Sequence, residues 1–182
     1  MRTILSVYST PGWANGGRGP RWTPNPFQYA AFMVALGKRY SGRFVQEGRL
    51  LPRVTHVEIW NEPNIRFFFR PQWRRAGGSW RPYSPTLYAR LLSVTTPRLR
   101  RARPDLLVIA GVLGPTDTSR PNVSVGVGDF IRRLAARRPP IMAVSQHVSP
   151  GAAPERARGL PSPWGLPRIR RLWDRVRPGR PV

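Results

Sequence analysis

Hydrophobic and polar positions fall into two alternating kinds of stretch along the chain. Short apolar runs, rich in β-branched residues, occupy residues 4–8, 54–62, 106–112 and 141–147. Runs of this length and composition read as strands. The third is apolar throughout, as expected of a strand covered on both faces. Between and after them lie segments of helical character at 26–40, 84–102, 129–138 and 166–176. In the first, Phe27, Ala30, Ala31, Val34 and Leu36 are expected to share the apolar face, with Pro26 in the first turn. In the second, Ser84 is the expected N-cap with Pro85 at the first helical position, and Pro97 is expected to kink or interrupt the helix. Residues 9–17 and 114–127 read as loops, and 151–163 as an irregular segment rich in Pro, Gly and Ala. Pro178-Gly179 should end the last helix. The connection 63–82 is long and crowded with Phe67, Phe68, Phe69, Trp73 and Trp80. Connections of that length are seldom present without a function. Strand and helix alternate four times, which predicts an α/β fold with a parallel sheet.

A chain of 182 residues is enough for one domain with a core. There is no cysteine, which excludes disulfides and thiolate metal sites. No phosphate-binding glycine loop, metal-ligand cluster or Ser/His/Asp arrangement is visible, so no metal or cofactor is expected. No apolar run has the length of a membrane span, and no membrane partner is expected. The first residues lack the apolar segment and cleavage site of a signal peptide, and the compartment is left open. The net charge of +23 first suggests nucleic acid or anionic lipid. Lys38 is the only lysine, however, and arginine is scattered through loops and helices alike. Pairs such as Arg132-Arg133 and Arg137-Arg138 read as solvated faces, so a nucleic-acid surface is not expected.

One stretch stands out: Val57-Glu58-Ile59-Trp60-Asn61-Glu62-Pro63-Asn64. Pro63 has no N–H for a sheet ladder and should end the strand. Asn61 and Glu62 then sit at its C-terminal end, where α/β folds present their active sites. Glu58 lies four residues back, about 13 Å along an extended strand. It should point to the same face as Glu62 but lie deep, as a buried structural carboxylate paired with an arginine.

Trp60-Asn61-Glu62-Pro63-Asn64 resembles the acid/base signature of clan A glycoside hydrolases, the retaining (β/α)8 barrels of cellulase-like and family 39-like enzymes. Thr10-Pro11-Gly12-Trp13-Ala14 resembles the end of that clan's third strand. Ser145-Gln146-His147 resembles the end of its sixth, where a histidine often lines the sugar site. The resemblance runs over nearly the whole chain. It implies that residues 1–182 form a single incomplete glycoside hydrolase domain, a partial TIM barrel of about four βα units spanning strands three to six.

It further implies a carbohydrate substrate and hydrolysis of O-glycosyl bonds by a retaining two-carboxylate mechanism. Glu62 takes the acid/base role, and Asn61 binds the sugar's 2-hydroxyl. Trp13, Trp73, Trp80 and Tyr83 are the candidate sugar platforms, since pyranose C–H faces pack on aromatic rings. Trp13, at a strand's C-terminal end, comes first among them. His147 is expected to bond a sugar hydroxyl or orient a carboxylate. Phe67 to Phe69 should anchor the loop, and His56 should be structural. Two departures from the clan pattern are informative. The tyrosine usual after the histidine is missing from Val148-Ser149-Pro150. The clan's second glutamate, the nucleophile of its seventh strand, has no counterpart; Glu155 and Asp174 do not top a strand. The alternative is a non-catalytic, carbohydrate-binding remnant of such an enzyme. Open sheet edges would favour self-association in either case. The residues leave the sugar, the linkage and endo or exo action open.

Overall fold

In the computed structural model, residues 3–148 and 166–176 are described. Four strands form a parallel sheet in the order β1 (Ile4–Val7), β4 (His56–Ile59), β7 (Leu107–Leu113) and β8 (Ala143–Gln146). Helices α1 (Pro26–Arg39), α2 (Ser84–Ala102) and α3 (Val127–Ala135) connect or follow them, and α4 (Leu166–Val176) ends the described chain. Sequential strands are neighbours, so the architecture is four successive βα units of a curled sheet. The register runs Ile4↔His56↔Leu107 at one end, and it shifts between Ala110 and Leu113 of β7.

Two antiparallel hairpins stand apart from this sheet. The first pairs β2 (Val45–Gln46) with β3 (Arg49–Leu50), and the second pairs β5 (Trp73–Ala76) with β6 (Ser79–Pro82). The second falls inside the stretch that the sequence reads as pure loop. Its turn, Gly77-Gly78, has φ of 56° and 73°, and the first hairpin's Glu47-Gly48 has 50° and 74°. Left-handed φ at both turn residues matches the strand twist of a two-residue hairpin.

The helices start and pack for local reasons. Asn25 caps α1, accepting from Phe27 N at 2.9 Å and Gln28 N at 3.3 Å, with Pro26 behind it. The buried face of α1 is Tyr29, Ala30, Met33 and Gly37. The expected face is therefore rotated: Phe27 and Ala31 are exposed, and Val34 and Leu36 are half-buried. Gly37 decides this, because Leu99 and Leu106 close over it, with Leu99 Cδ1 only 3.0 Å from where a Cβ would stand.

On α2 two expectations are corrected. Tyr83 is the N-cap residue, and Ser84 lies inside the helix, fully buried, donating to Gln72 Oε1 at 2.9 Å. The hydroxyl binds the long connection instead of capping the helix. Pro97 does not interrupt α2. Both Pro97 and Ser93, whose carbonyl loses its partner, are exposed, so water can take the freed oxygen. Leu91, Leu92, Thr95, Thr96 and Leu99 hold both halves of the helix to the core.

The core lies between the sheet and the helices. Through it runs a row of rings: Tyr29–Trp60 at 5.9 Å, Trp60–Phe69 at 5.3 Å, Phe69–Tyr88 at 6.2 Å and Tyr88–Phe130 at 6.0 Å. Tilted and edge-on pairs at such spacings add to simple area burial. The helix predicted at 166–176 is present, with Ile169 and Trp173 buried. The irregular segment 151–163, Glu155 and Pro178-Gly179 lie outside the described residues.

At the N-terminal ends of the strands the elements are tied by one buried arginine. Arg103 bonds Asp105 through Nε at 2.7 Å and Nη2 at 2.8 Å, and donates to Val54 O at 3.1 Å and to Gly37 O. Arg53 adds a bond of 2.9 Å to Asp105. Hydrogen bonds from Arg103, and then from Arg53, hold the Asp105 carboxyl well below the usual carboxylate range. A depressed carboxyl stabilises the fold above its unfolded value, about 4, and the contribution is lost as pH falls below that. Urea unfolding midpoints should therefore fall between about pH 5 and pH 2. Asp105→Asn should flatten that dependence and cost about 1–3 kcal/mol at neutral pH by leaving Arg103 under-bonded. An unchanged acid dependence in the variant would contradict this.

Candidate active site

The site is built where β4 ends. Beyond Ile59 the backbone turns left-handed twice, at Trp60 with φ of 70° and at Glu62 with φ of 44°. Non-glycine residues in this region carry strain that surrounding structure must hold. Several bonds do so. Trp60 N donates to Val7 O at 3.0 Å, and Glu62 N to Val112 O at 2.8 Å, so the chain stays tethered to β1 and β7. The fully buried Trp60 indole donates to Phe68 O at 3.0 Å. Tyr88 donates its hydroxyl to Ile59 O at 2.6 Å and accepts from Gly111 N at 2.5 Å. Burial pushes the Tyr88 phenol well above its ordinary value, so it remains a donor.

Two further amides complete the clamp. Asn64 is fully buried, accepts from Gly114 N at 2.7 Å, and donates to Gly114 O at 3.1 Å and Val125 O at 3.3 Å. Gln72 donates to Pro63 O at 2.9 Å and Phe69 O at 2.7 Å. Gly111 is required sterically, since a Cβ there would overlap the carbonyl oxygens of Ile59 and Trp60. A Cβ on Gly114 would likewise overlap Ile65 and stand 3.0 Å from the Glu62 carboxyl carbon.

Held this way, Glu62 is 9% exposed at the C-terminal ends of the strands. Its Oε1 lies 2.7 Å from Nδ1 of His147, just past the end of β8, within hydrogen-bond distance. The His147 side chain is 48% exposed, and its backbone N donates to Leu113 O at 3.0 Å. Gln146 fixes the same turn through Leu113 O at 2.9 Å and His147 O at 2.7 Å. The pair can therefore hold or move a proton at the mouth of the sheet. Asn61 is half-buried beside it.

Glu58 is buried, as expected, but its partner is not an arginine. The Ser145 hydroxyl donates to Glu58 Oε1, reaching across β7 from β8. Arg103, itself buried, is committed to Asp105 at the opposite ends of the strands. His56 is half-buried, with Nδ1 2.8 Å from the Thr55 hydroxyl.

The aromatic candidates are spread out. Trp13 sits in a single 3-10 turn (Gly12–Ala14) after β1 and is 71% exposed. It borders a cavity of about 230 Å³ lined with Tyr8, Pro11, Pro24 and Phe32, but not with Asn61, Glu62 or His147. Trp73 is half-buried and donates its indole N–H to Ser124 O at 3.0 Å, tying the second hairpin to the loop after β7. Trp80 is exposed on β6 with Arg75 at 5.8 Å, and Tyr83 has Arg74 at 4.5 Å. Phe69 is fully buried and Phe67 is exposed. The structure thus joins Glu62 and His147, while Trp13 lines a separate cavity and Trp73 is tied to Ser124. Of the residues that position the pair, Asn64 stands in the signature but had no role assigned, and Gln72, Tyr88 and Gly111 were not singled out from the sequence. Gly111, inside an otherwise apolar strand, was the one available signal of a close backbone approach.

No family model matches the sequence, and no curated protein does either. Solved structures do. A monomeric β-xylosidase from Caulobacter crescentus CB15 is similar over 97% of this chain, with a TM-score of 0.56 and 18% identity. A GH39 enzyme from Xanthomonas axonopodis pv. citri gives 0.52 and 18% over 96%, and a glucosidase from Croceicoccus marinus 0.59 and 12% over 96%. The chain spans about a third of the length of each, 35%, 33% and 32%. The fold is that of these glycosidases over that third, a partial TIM barrel.

The clamp around Trp60 to Glu62 is expected to govern stability. Tyr88→Phe leaves Gly111 N and Ile59 O unsatisfied and should cost about 1–3 kcal/mol. Gly111→Ala, by overpacking, should cost about 3 kcal/mol or more. Chemical denaturation checks both, and a neutral Gly111→Ala would refute the close approach.

Proposed function

We propose that the chain is part of a retaining glycoside hydrolase and that Glu62 is its acid/base. The observation that carries this is the Glu62–His147 pair at the C-terminal mouth of a parallel sheet with a glycosidase-like fold. In this reading Glu62 gives its proton to the glycosidic oxygen as the bond breaks. The carboxylate left behind then takes a proton from the incoming water. His147 orients the carboxyl and shares its proton. The neighbouring Asn61 amide bonds the 2-hydroxyl, a contact that strengthens as the sugar flattens towards an oxocarbenium ion. Similarity in fold to a β-xylosidase supports a β-linked glycoside as substrate.

A retaining mechanism needs a second carboxyl about 5–5.5 Å from the first. Glu58 does not suit the task, because it sits deeper on β4 and is bound by Ser145. Asp105, Asp129 and Asp174 are paired with arginines elsewhere. We assign the nucleophile to a further strand of the whole barrel, beyond the four described. The chain by itself then fits the second reading, a sugar-binding portion without turnover.

Two outcomes are expected. Activated aryl glycosides incubated with the 182-residue chain should hydrolyse at background rate. Turnover that disappears in Glu62→Gln would show instead that this chain supplies both carboxyl groups. In a whole barrel, Glu62→Gln should lower kcat about 10²–10⁴-fold on substrates with poor leaving groups and spare those whose leaving group needs no proton. Equal loss on both substrate types would rule out the acid role.

A further inference from the structure

The net charge of +23 leaves many arginines without an acidic partner. The ion pairs among the described residues use Arg53, Arg103, Arg132, Arg133 and Arg170. Arg21, Arg66 and Arg70 gather elsewhere, on the rim of the strand ends, where the loop leaving Glu62 meets the segment before α1. That loop begins with Ile65 N donating to Glu62 O at 3.0 Å, and Arg66 N is tied to Val123 O at 2.8 Å.

Arg70 links the three arginines. Arg70 N donates to Arg21 O at 2.8 Å, and its Nε to Arg66 O at 3.2 Å. The Arg21 guanidinium lies 3.7 Å from the centre of the Phe67 ring. Burial first, then the charges of Arg66 and Arg21, pull Arg70 below its ordinary value. Trp22, Arg66, Arg70, Pro71, Gln72 and Asn122 line a cavity of about 210 Å³ beside them.

We propose that this cavity is a subsite for an anionic substituent, carboxylate or sulfate, on a glycan unit next to the one at Glu62. The inference rests on the glycosidase reading above. Like charges brought together cost energy that a bound anion would remove. The planar guanidinium fork matches the oxygens of a carboxylate or sulfate, and Asn122 adds an amide that can donate to them. Trp22, half-buried, carries the Arg18 guanidinium 4.7 Å from its ring centre, which adds a further cation beside the same cavity. The cavity holds one sugar-sized group, and one ring lines it, which suits a substituted sugar better than a run of stacked bases. Asn61, Glu62 and His147 do not line it, so the anion belongs to a neighbouring unit and not to the sugar being cleaved.

The test is calorimetric titration of the full chain at fixed ionic strength. The probes are a xylo-oligosaccharide carrying a glucuronate branch, one carrying a sulfate, the same oligosaccharide unsubstituted, and free sodium sulfate. A substituted probe is expected to bind about tenfold or more tightly than the neutral one. That advantage should vanish in Arg66→Gln/Arg70→Gln and persist in Arg90→Gln/Arg100→Gln, which removes the same charge from the exposed face of α2. Comparing the two substituted probes separates carboxylate from sulfate. Arg66→Gln alone, whose side chain is exposed, covers the case in which the double variant fails to fold. Equal loss in both double variants would mean general charge attraction and overturn the proposal. Equal binding of substituted and neutral probes would overturn the subsite and leave the glycosidase reading standing. Binding of free sulfate with no oligosaccharide bound would overturn both.

Discussion

The exit of the chain from β4 is the constraint on which the rest of the structure depends. Trp60 and Glu62 both take left-handed backbone, a conformation that side chains with a Cβ resist. It persists because every neighbour leaves no other option. Tyr88 from α2 grips the last carbonyl of the strand, Asn64 binds the chain back to the end of β7, and Gly111 gives the backbone room. The Trp60 ring is sealed in the aromatic row between helices and sheet. Strain at the tip is thus balanced by burial behind it, and Glu62 is turned to the mouth of the sheet with its carboxyl nearly enclosed.

The same face carries two braces from β4 to β8. Glu58 meets Ser145, and Glu62 meets His147, each across the intervening β7. Strands two steps apart in a flat sheet lie roughly 9.6 Å from each other, so such contacts need the sheet to curl towards that face. Curling is what a barrel requires of its strands. The lower brace lies inside the sheet, where a carboxylate without a partner would be costly. The upper one lies at the rim, where His147 is open to solvent. Ser145 and His147 are two residues apart and share a face, so the lower contact helps set the position of the upper one.

Charge is handled differently at the two ends of the strands. At the N-terminal ends Arg103 is buried with its carboxylate and backbone acceptors supplied, and it joins α1, the segment before β4 and the turn before β7. On the site side Arg21, Arg66 and Arg70 crowd together over rings and carbonyls. The first arrangement satisfies a buried ion internally. In the second, Arg66 and Arg70 border a cavity whose lining holds no acidic side chain, so their charge is not met there by a carboxylate.

The four strands, the four helices and the polar tip at Glu62 were legible in the sequence, because each rests on short-range pattern. Apolar runs mark buried strands, and Pro63 after Asn61-Glu62 marks a strand end. The hairpin at 73–82 was hidden by aromatic and arginine residues that read as loop, although Gly77-Gly78 carried its turn. The partner of Glu58, the burial of Ser84 and the apolar face of α1 depend on residues 12 to 87 positions away. The meeting of Glu62 with His147, 85 residues apart, is likewise set by sheet order and curl. Sequence by itself determined where the strands lie and which polar side chains stand at their ends, since periodicity and proline act within a few residues. Only the tertiary structure decided which of them touch, because hydrogen-bond partners and steric room are properties of neighbours brought together by the fold.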